Sequence, residues 1–121
     1  MSKRCTTLLR LTNPDPLTTI DYLLMDITVQ ELKERLDKGE KLNLFDVREP
    51  NEYEDDNIGA TLIPLGDLSY RLDELDGLQD EEVIVHCRSG KRSGMAQQIL
   101  EQNGFNNVRN VIGGMLAYRA Q

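Results

Sequence analysis

The chain has 121 residues, which is the size of a single domain. Its 39% hydrophobic and 29% charged residues are ordinary globular usage and exclude a disordered or fibrous chain. An excess of 21 acidic over 14 basic residues gives a formal charge of -7, which opposes general binding to nucleic acid or to an anionic membrane surface. The two cysteines, Cys5 and Cys87, are far apart, so we expect free thiols in a reducing cytoplasm. With His86 as the single histidine, they cannot complete a closed zinc site without a carboxylate.

The first part of the chain carries turn signals rather than a long apolar run. Arg10 and the sequence Asn13-Pro14-Asp15-Pro16 interrupt the apolar residues too early for a signal peptide or a membrane span. We therefore predict an extension or linker at residues 1–26, followed by one domain at residues 27–121.

Helix and strand patterns alternate through the rest of the chain. Thr28-Val29-Gln30-Glu31 is typical of a capping box, and Gly39 of a helix end. After this first helix we predict strands at 42–47, 62–63, 83–86 and 108–111, with helices from Pro50, at 65–75, 93–103 and 115–120. Met95, Ala96, Ile99 and Leu100 form the predicted apolar face of the helix at 93–103. Strands joined by such helices predict an α/β fold, with a parallel twisted sheet covered by helices on both faces.

The loop between the third strand and the next helix is the leading candidate site. Ligands of parallel sheets bind at the carboxyl ends of strands, and Cys87 begins this loop. A thiol near a helix N-terminus is stabilised as the thiolate, which is the nucleophilic form. Arg88, Lys91 and Arg92 add cations, and Gly90 permits the backbone to form an anion nest. We expect an anionic substrate or intermediate at Cys87.

Several segments in this order resemble the single-domain rhodanese family of sulfurtransferases. They are Asp46-Val47-Arg48-Glu49-Pro50-Asn51-Glu52-Tyr53, Ile63-Pro64-Leu65, Cys87-Arg88-Ser89-Gly90-Lys91-Arg92-Ser93 and Gly113-Gly114-Met115-Leu116-Ala117-Tyr118. The resemblance implies a five-stranded parallel sheet in a rhodanese-like domain. It also implies that Cys87 is the catalytic persulfide carrier, that Arg88, Ser89, Gly90, Lys91 and Arg92 bind the substrate, and that Arg48 lies beside them.

Two differences from the family pattern concern other positions. Asp56-Asn57-Ile58-Gly59-Ala60 lacks the histidine and the proline of the usual Gly-His-Ile-Pro-Gly-Ala segment, and Tyr118 replaces a common tryptophan. Residues 17–31 are similar to the joint in proteins that fuse an E1-like adenylyltransferase ahead of a rhodanese domain. This similarity implies descent from, or membership of, such a fusion.

Other reactive side chains have structural interpretations. Cys5 lies in the predicted extension, without a visible cationic partner, so we expect no catalytic role. His86 should point away from Cys87 and pack inside the domain, and Asp46 should be an internal hydrogen-bond partner. The acidic residues of the run from Glu49 to Asp56 are predicted to form a solvated face, with one of them available to hold a loop arginine.

Three functional hypotheses follow. A thiosulfate-type sulfurtransferase would use Cys87 as a persulfide carrier and needs neither a metal nor an organic cofactor. A cysteine-dependent phosphatase has a similar loop, but only four residues separate Cys87 from Arg92, one fewer than in the phosphatase signature. A non-catalytic rhodanese-like binding module would be expected to lose the cysteine or the cations. We favour the sulfurtransferase, with a small donor such as thiosulfate and with a sulfur-carrier protein or an E1-like adenylyltransferase domain as candidate partners.

Overall fold

Local signals determine both ends of the first helix, α1, which spans Val29–Asp37. The Oγ1 atom of Thr28 accepts the backbone N–H of Glu31 at 3.1 Å, as the predicted cap requires. Gly39 follows the helix with a positive φ of 81°, which a glycine adopts readily. The computed structural model describes residues 26–121, so the predicted extension lies outside the described residues except for Asp26.

The remaining elements alternate as the sequence predicts. They are β1 Leu44–Asp46, α2 Pro50–Asp55, β2 Thr61–Leu62, α3 Leu65–Leu68, a 3-10 helix Leu72–Leu75, β3 Val83–His86, α4 Lys91–Gln102, β4 Val108–Asn110 and α5 Gly114–Ala120. Pro50 occupies the first turn of α2, where its missing N–H carries no penalty. No helix in this part of the chain is long and apolar enough to cross a membrane.

The strands form one parallel sheet in the order β2-β1-β3-β4. The expectation of five strands is wrong for the described residues, which contain a sheet of four. Ile27 pairs with Val111 beyond the end of β4, but this contact is a single bridge. The pairing does not continue past Ile27, because Thr28 already caps α1.

Helices cover both faces of the sheet, and side-chain alternation along β3 sorts its residues between two apolar clusters. Val83 and Val85 join the cluster beneath α3 and α4, and Ile84 joins the cluster beneath α1 and α5. Cys87 belongs to the first cluster, since it continues the Val83 and Val85 alternation. Cys87 therefore begins its loop on the α4 side of the sheet.

Two helix predictions differ from the structure. The helix expected at 65–75 is divided into α3 and the 3-10 helix, because Arg71 between them leaves helical backbone geometry at φ -122° and ψ 21°. The helix expected at 93–103 begins at Lys91, directly after Gly90. Its buried face is formed by Ser93, Ala96 and Leu100, and Met95 is 54% exposed instead of lying on that face.

Candidate active site

Parallel strand ends bring Arg48 and Cys87 to the same edge of the sheet. Asp46 at the end of β1 pairs with His86 at the end of β3, so the residues that follow each strand are neighbours. Residues 87–90 then connect β3 to α4. The predicted site position, at the carboxyl end of a central parallel strand, is where the structure places the cysteine loop.

The sulfur of Cys87 lies at the centre of this loop. The residue is only 1% exposed, and the backbone N–H of Gly90 donates to its Sγ at 3.1 Å. The backbone N–H of Ser93 also donates to Sγ, at 3.4 Å, and the Ser93 Oγ lies 3.4 Å from it. Gly90 reaches its position with a φ of 101°, a conformation that L-residues rarely adopt. The loop therefore forms a nest of N–H groups around one sulfur atom.

These contacts determine the ionisation of the thiol. Burial raises the pKa of Cys87, but hydrogen bonds to its Sγ, among them those from the backbone N–H groups of Ser93, Gly90 and Ser89, outweigh burial, so the net pKa is below its usual value. The thiolate is the reactive form of cysteine, so the loop favours the nucleophile.

The loop cations differ in their partners. Arg92 forms a bidentate ion pair with Glu52 of α2, with Nη1–Oε1 and Nη2–Oε2 distances of 2.7 and 2.9 Å. The hydrogen bonds from Arg92 lower the pKa of Glu52 to about 2. Glu52 is thus the acidic residue that holds a loop arginine. The side chains of Arg88 and Lys91 are exposed and have no ion-pair partner among residues 26–121, so their charges are available to an incoming anion.

Arg48 lies beside the loop but is occupied by other protein groups. Its Nε and Nη2 donate to the fully buried carboxylate of Asp46 at 3.0 to 3.1 Å and 2.8 Å. Nη2 also donates to the carbonyl of Asp56 at 2.6 Å. The expectation that Asp46 is an internal hydrogen-bond partner is confirmed. Arg48 therefore fixes the end of β1 to the chain after α2.

A cleft of about 270 Å³ opens next to the cysteine loop. Its walls are formed by Arg48, Glu52, Asp55, Asp56, Arg88, Met115, Leu116 and Arg119. A larger concavity of about 690 Å³ lies over α1 and Gln121 and contains no cysteine. We place the candidate site at the smaller cleft, because Arg88 on its wall directly follows Cys87 in the chain.

The start of α5 supports the cysteine loop from behind. The N–H groups of Met115 and Leu116 donate to the carbonyls of Cys87 and Arg88 at 2.9 and 3.0 Å. Gly114 makes this approach feasible, since a Cβ there would lie 2.5 Å from the Arg88 oxygen. The sequence analysis did not predict this role. A glycine pair at the start of a helix was the available signal for a close backbone approach.

Two further site residues were outside the predicted set. Ser93 approaches the sulfur, and Asn110 contacts both Ser93 and Gly90. Asn110 lies at the end of β4, and no local pattern connects it to the cysteine loop. Cys5, by contrast, lies outside the residues that the structure describes.

Comparison with known proteins agrees with this architecture. A rhodanese-like domain protein from Staphylococcus aureus has a similar structure, with a TM-score of 0.70 and 33% identity, covering 77% of this chain and 89% of that one. YtwF of Bacillus subtilis, named provisionally as a sulfurtransferase, is 37% identical over 99 residues, which are 81% of this chain and 93% of YtwF.

Longer relatives match over part of their length. YrkF of Bacillus subtilis, named provisionally as a sulfur carrier protein, is 41% identical over 91 residues, which are 74% of this chain and 48% of YrkF. The adenylyltransferase and sulfurtransferase MOCS3 of Arabidopsis thaliana is 35% identical over an alignment of 109 positions, and the match covers 78% of this chain and 24% of MOCS3. The chain therefore spans about half of YrkF and about a quarter of MOCS3.

The rhodanese-like domain, as a sequence family, matches residues 28–121 without interruption. This range contains the sheet, the cysteine loop and the supporting start of α5. The chain belongs to the rhodanese-like domain family.

Proposed function

We propose that this chain is a sulfurtransferase in which Cys87 carries sulfane sulfur as a persulfide, from a small donor such as thiosulfate to a thiophilic acceptor. The observation that carries the proposal is the buried Sγ of Cys87 with the N–H groups of Gly90 and Ser93 directed at it. Relatives named as sulfurtransferases support sulfur transfer as the class of reaction.

The chemistry has two displacements at sulfur. In the first, the Cys87 thiolate attacks the sulfane sulfur of thiosulfate, a new S–S bond forms, and the old S–S bond breaks with release of sulfite. In the second, an acceptor nucleophile attacks the outer sulfur of the persulfide and releases the Cys87 thiolate. Both displacements conserve charge, and neither consumes a metal or an organic cofactor.

The loop residues contribute electrostatic stabilisation in this proposal. The N–H groups of Ser89, Gly90 and Ser93 would stabilise negative charge at Cys87 and its persulfide. Arg88 and Lys91, which lack ion-pair partners in the described residues, would attract the anionic donor into an otherwise acidic protein. Arg92 would act with Glu52 to hold the loop, and Arg48 would shape the cleft through Asp46.

The acceptor is proposed from the names of relatives. YrkF is named as a sulfur carrier protein, and MOCS3 joins an adenylyltransferase to a sulfurtransferase. We infer that a sulfur-carrier protein or an E1-like adenylyltransferase domain is the partner of this chain. A cytoplasmic location would keep Cys87 reduced between turnovers.

The test is intact mass spectrometry after incubation with thiosulfate. The wild-type chain should gain about 32 Da, the mass of one sulfur atom on a cysteine. Cys87→Ser should lose both this adduct and the transfer of sulfur from thiosulfate to cyanide. Cys5→Ser is the matched control, because it removes the other thiol and should leave both signals intact.

Two outcomes would contradict the proposal. Sulfur transfer that persists in Cys87→Ser would remove Cys87 from the mechanism. Hydrolysis of an aryl phosphate that depends on Cys87, with no sulfur adduct, would favour the phosphatase hypothesis. We expect no such hydrolysis above the Cys87→Ser control, because the loop has one residue fewer than the phosphatase signature.

A further inference from the structure

Asn110 lies between the cysteine loop and the first turn of α4. Its Nδ2 donates to the carbonyl of Gly90 at 3.0 Å, and its Oδ1 is 2.6 Å from the Oγ of Ser93. Its own backbone N–H is anchored on Asp26 Oδ1 at 3.1 Å. Asn110 thus contacts two of the residues that approach the Cys87 sulfur, although it belongs to β4.

Gly90 determines the orientation of the Asn110 amide. A carbonyl oxygen only accepts hydrogen bonds, so the NH₂ group of Asn110 must face Gly90 and its oxygen must face Ser93. The opposite orientation would bring two oxygens together with no proton between them. Oδ1 of Asn110 therefore needs a donor, and the Ser93 hydroxyl is at the distance of a short O–H···O hydrogen bond.

The Ser93 hydroxyl has one proton and two acceptors within reach. Oδ1 of Asn110 is 2.6 Å from Oγ, whereas Sγ of Cys87 is 3.4 Å from it. Ser93 is fully buried and Asn110 is partly buried, so a proton turned toward the sulfur would give up the short contact with Asn110 for a long one. The shorter contact favours donation to Asn110.

We propose that Asn110 is a positioning residue of the sulfur site: it donates to the Gly90 carbonyl and accepts the hydrogen bond of the Ser93 hydroxyl, so that this hydroxyl presents a lone pair, not a proton, to the Cys87 sulfur. The inference rests on the proposed function for the role of Cys87. The backbone N–H groups of the loop then supply the donors to the thiolate. A further hydroxyl donor would stabilise the thiolate more and make it a weaker nucleophile, which Asn110 prevents.

The alkylation rate of Cys87 by iodoacetamide, measured against pH, tests the direction of this hydrogen bond. A Cys5→Ser background ensures that Cys87 alone reports. Ser93→Ala should leave the pH midpoint of alkylation unchanged or slightly lower, because the Ser93 hydroxyl donates to Asn110 and not to the sulfur. Asn110→Leu should free the Ser93 proton for the sulfur and lower the midpoint by up to about one pH unit, a tenfold change in the ionisation constant.

The double variant separates this effect from a change in loop shape. Asn110→Leu should lower the midpoint when Ser93 is present and should do so much less in the Ser93→Ala background. The charged and titratable groups on the surrounding elements are Arg88, Lys91, Arg92 with Glu52, His86, Asp46 with Arg48, and Asp26, and none of them is changed.

Two results would overturn the inference. A rise of the midpoint in Ser93→Ala would show that the hydroxyl already donates to the sulfur, and this variant decides the question even if Asn110→Leu does not fold. An equal shift of Asn110→Leu in both backgrounds would assign it a purely structural role. Neither result depends on sulfur transfer, so failure of the thiosulfate adduct would contradict the proposed function alone.

Discussion

His86 precedes the nucleophile in the chain but is enclosed by the domain. It is 1% exposed, and neither ring nitrogen has a partner at hydrogen-bonding geometry among the described residues. Its Nε2 lies 3.8 Å from Oδ2 of Asp46, whose short hydrogen bonds go to Arg48. Burial lowers the pKa of His86, and the Asp46 carboxylate opposes this effect only in part. The structure therefore favours a neutral, packed histidine.

This environment predicts a pH-dependent stability. An unfolded histidine has a pKa of about 6.5, and the folded pKa of His86 is lower, so the unfolded chain binds more protons below that pH. The effect of His86 on the free energy of unfolding should be zero well above about pH 6.5. Below that pH, the free energy of unfolding should fall by up to about 1.4 kcal/mol per pH unit, until the folded pKa of His86 is reached. Urea unfolding at several pH values should show the decline in the wild-type chain and a weaker decline in His86→Leu. The same pH dependence in both proteins would contradict this account.

At the scale of elements, the ion pair between Arg92 and Glu52 connects α4 to α2. Both side chains are partly buried, and Arg92 interacts electrostatically with Cys87. Glu52, with a pKa of about 2, stays ionised wherever the thiol titrates. The charge that Arg92 offers to Cys87 is therefore partly cancelled by Glu52.

Removing the positive or the negative charge of this pair should move the Cys87 pKa in opposite directions. Arg92→Ala leaves the Glu52 anion uncompensated and should raise the thiol pKa, whereas Glu52→Gln frees the Arg92 cation and should lower it. We expect each shift to be about half a unit to one unit, and the double variant to lie near the wild type. The rate of Cys87 alkylation, followed against pH, measures the thiol pKa in both single variants and in the double variant. Shifts in the same direction would mean that loop geometry, not charge, controls the thiol.

The contact between α5 and the cysteine loop gives a second prediction at this scale. A Cβ at Gly114 would lie 2.5 Å from the oxygen of Arg88 and 2.6 Å from that of Cys87. Gly114→Ala should therefore displace the loop, slow formation of the sulfur adduct, and destabilise the fold by roughly 2–5 kcal/mol from strain and overpacking.

Gly39→Ala is the matched control for Gly114→Ala. Gly39 also has a positive φ, but nothing lies within 4 Å of a Cβ built there. Gly39→Ala should lower the free energy of unfolding by only about 1–2 kcal/mol and should leave the rate of sulfur-adduct formation unchanged. Chemical denaturation and adduct kinetics would compare the two, and equal adduct rates would remove α5 from the support of the site.

At the scale of the whole molecule, the sheet separates Cys87 from the apolar cluster on its other face. Leu32 of α1 and Ile84 of β3 are fully buried in the cluster on the face opposite to Cys87. The side chains of this cluster stabilise the sheet from behind, whereas the start of α5 reaches the cysteine loop through backbone N–H groups.

Leu32→Ala should therefore separate stability from chemistry. Loss of a fully buried leucine side chain should cost about 2–5 kcal/mol in the free energy of unfolding. Below the unfolding temperature, the rate of sulfur-adduct formation should remain that of the wild type. Leu36→Ala, at a partly buried position of the same helix, should cost less. A slower adduct rate in the folded Leu32→Ala protein would show that this cluster also shapes the site.

Local sequence signals were sufficient to predict most of the helices and strands. Thr28 and Gly39 mark the ends of α1, Pro50 begins α2, and the β-branched run before Cys87 forms β3. These signals act within a few residues, so they can be read without knowing the fold. The five strands that the resemblance implies are not found in the described residues, where Ile27 forms one bridge and Thr28 already caps α1.

The sequence by itself determined the candidate nucleophile and the cations of its loop, because Cys87, Gly90 and Arg92 are close in the chain, and it also determined the type of sheet. Only the tertiary structure decided which groups surround them. Glu52 holds Arg92 across 40 positions, and Asn110 contacts Ser93 across 17. Such partners meet because parallel strands bring their ends to one edge and α5 packs its first N–H groups against the loop. No local sequence pattern predicts these long-range contacts. They depend on the order of the strands in the sheet and on the close approach of α5 to the cysteine loop, which Gly114 permits.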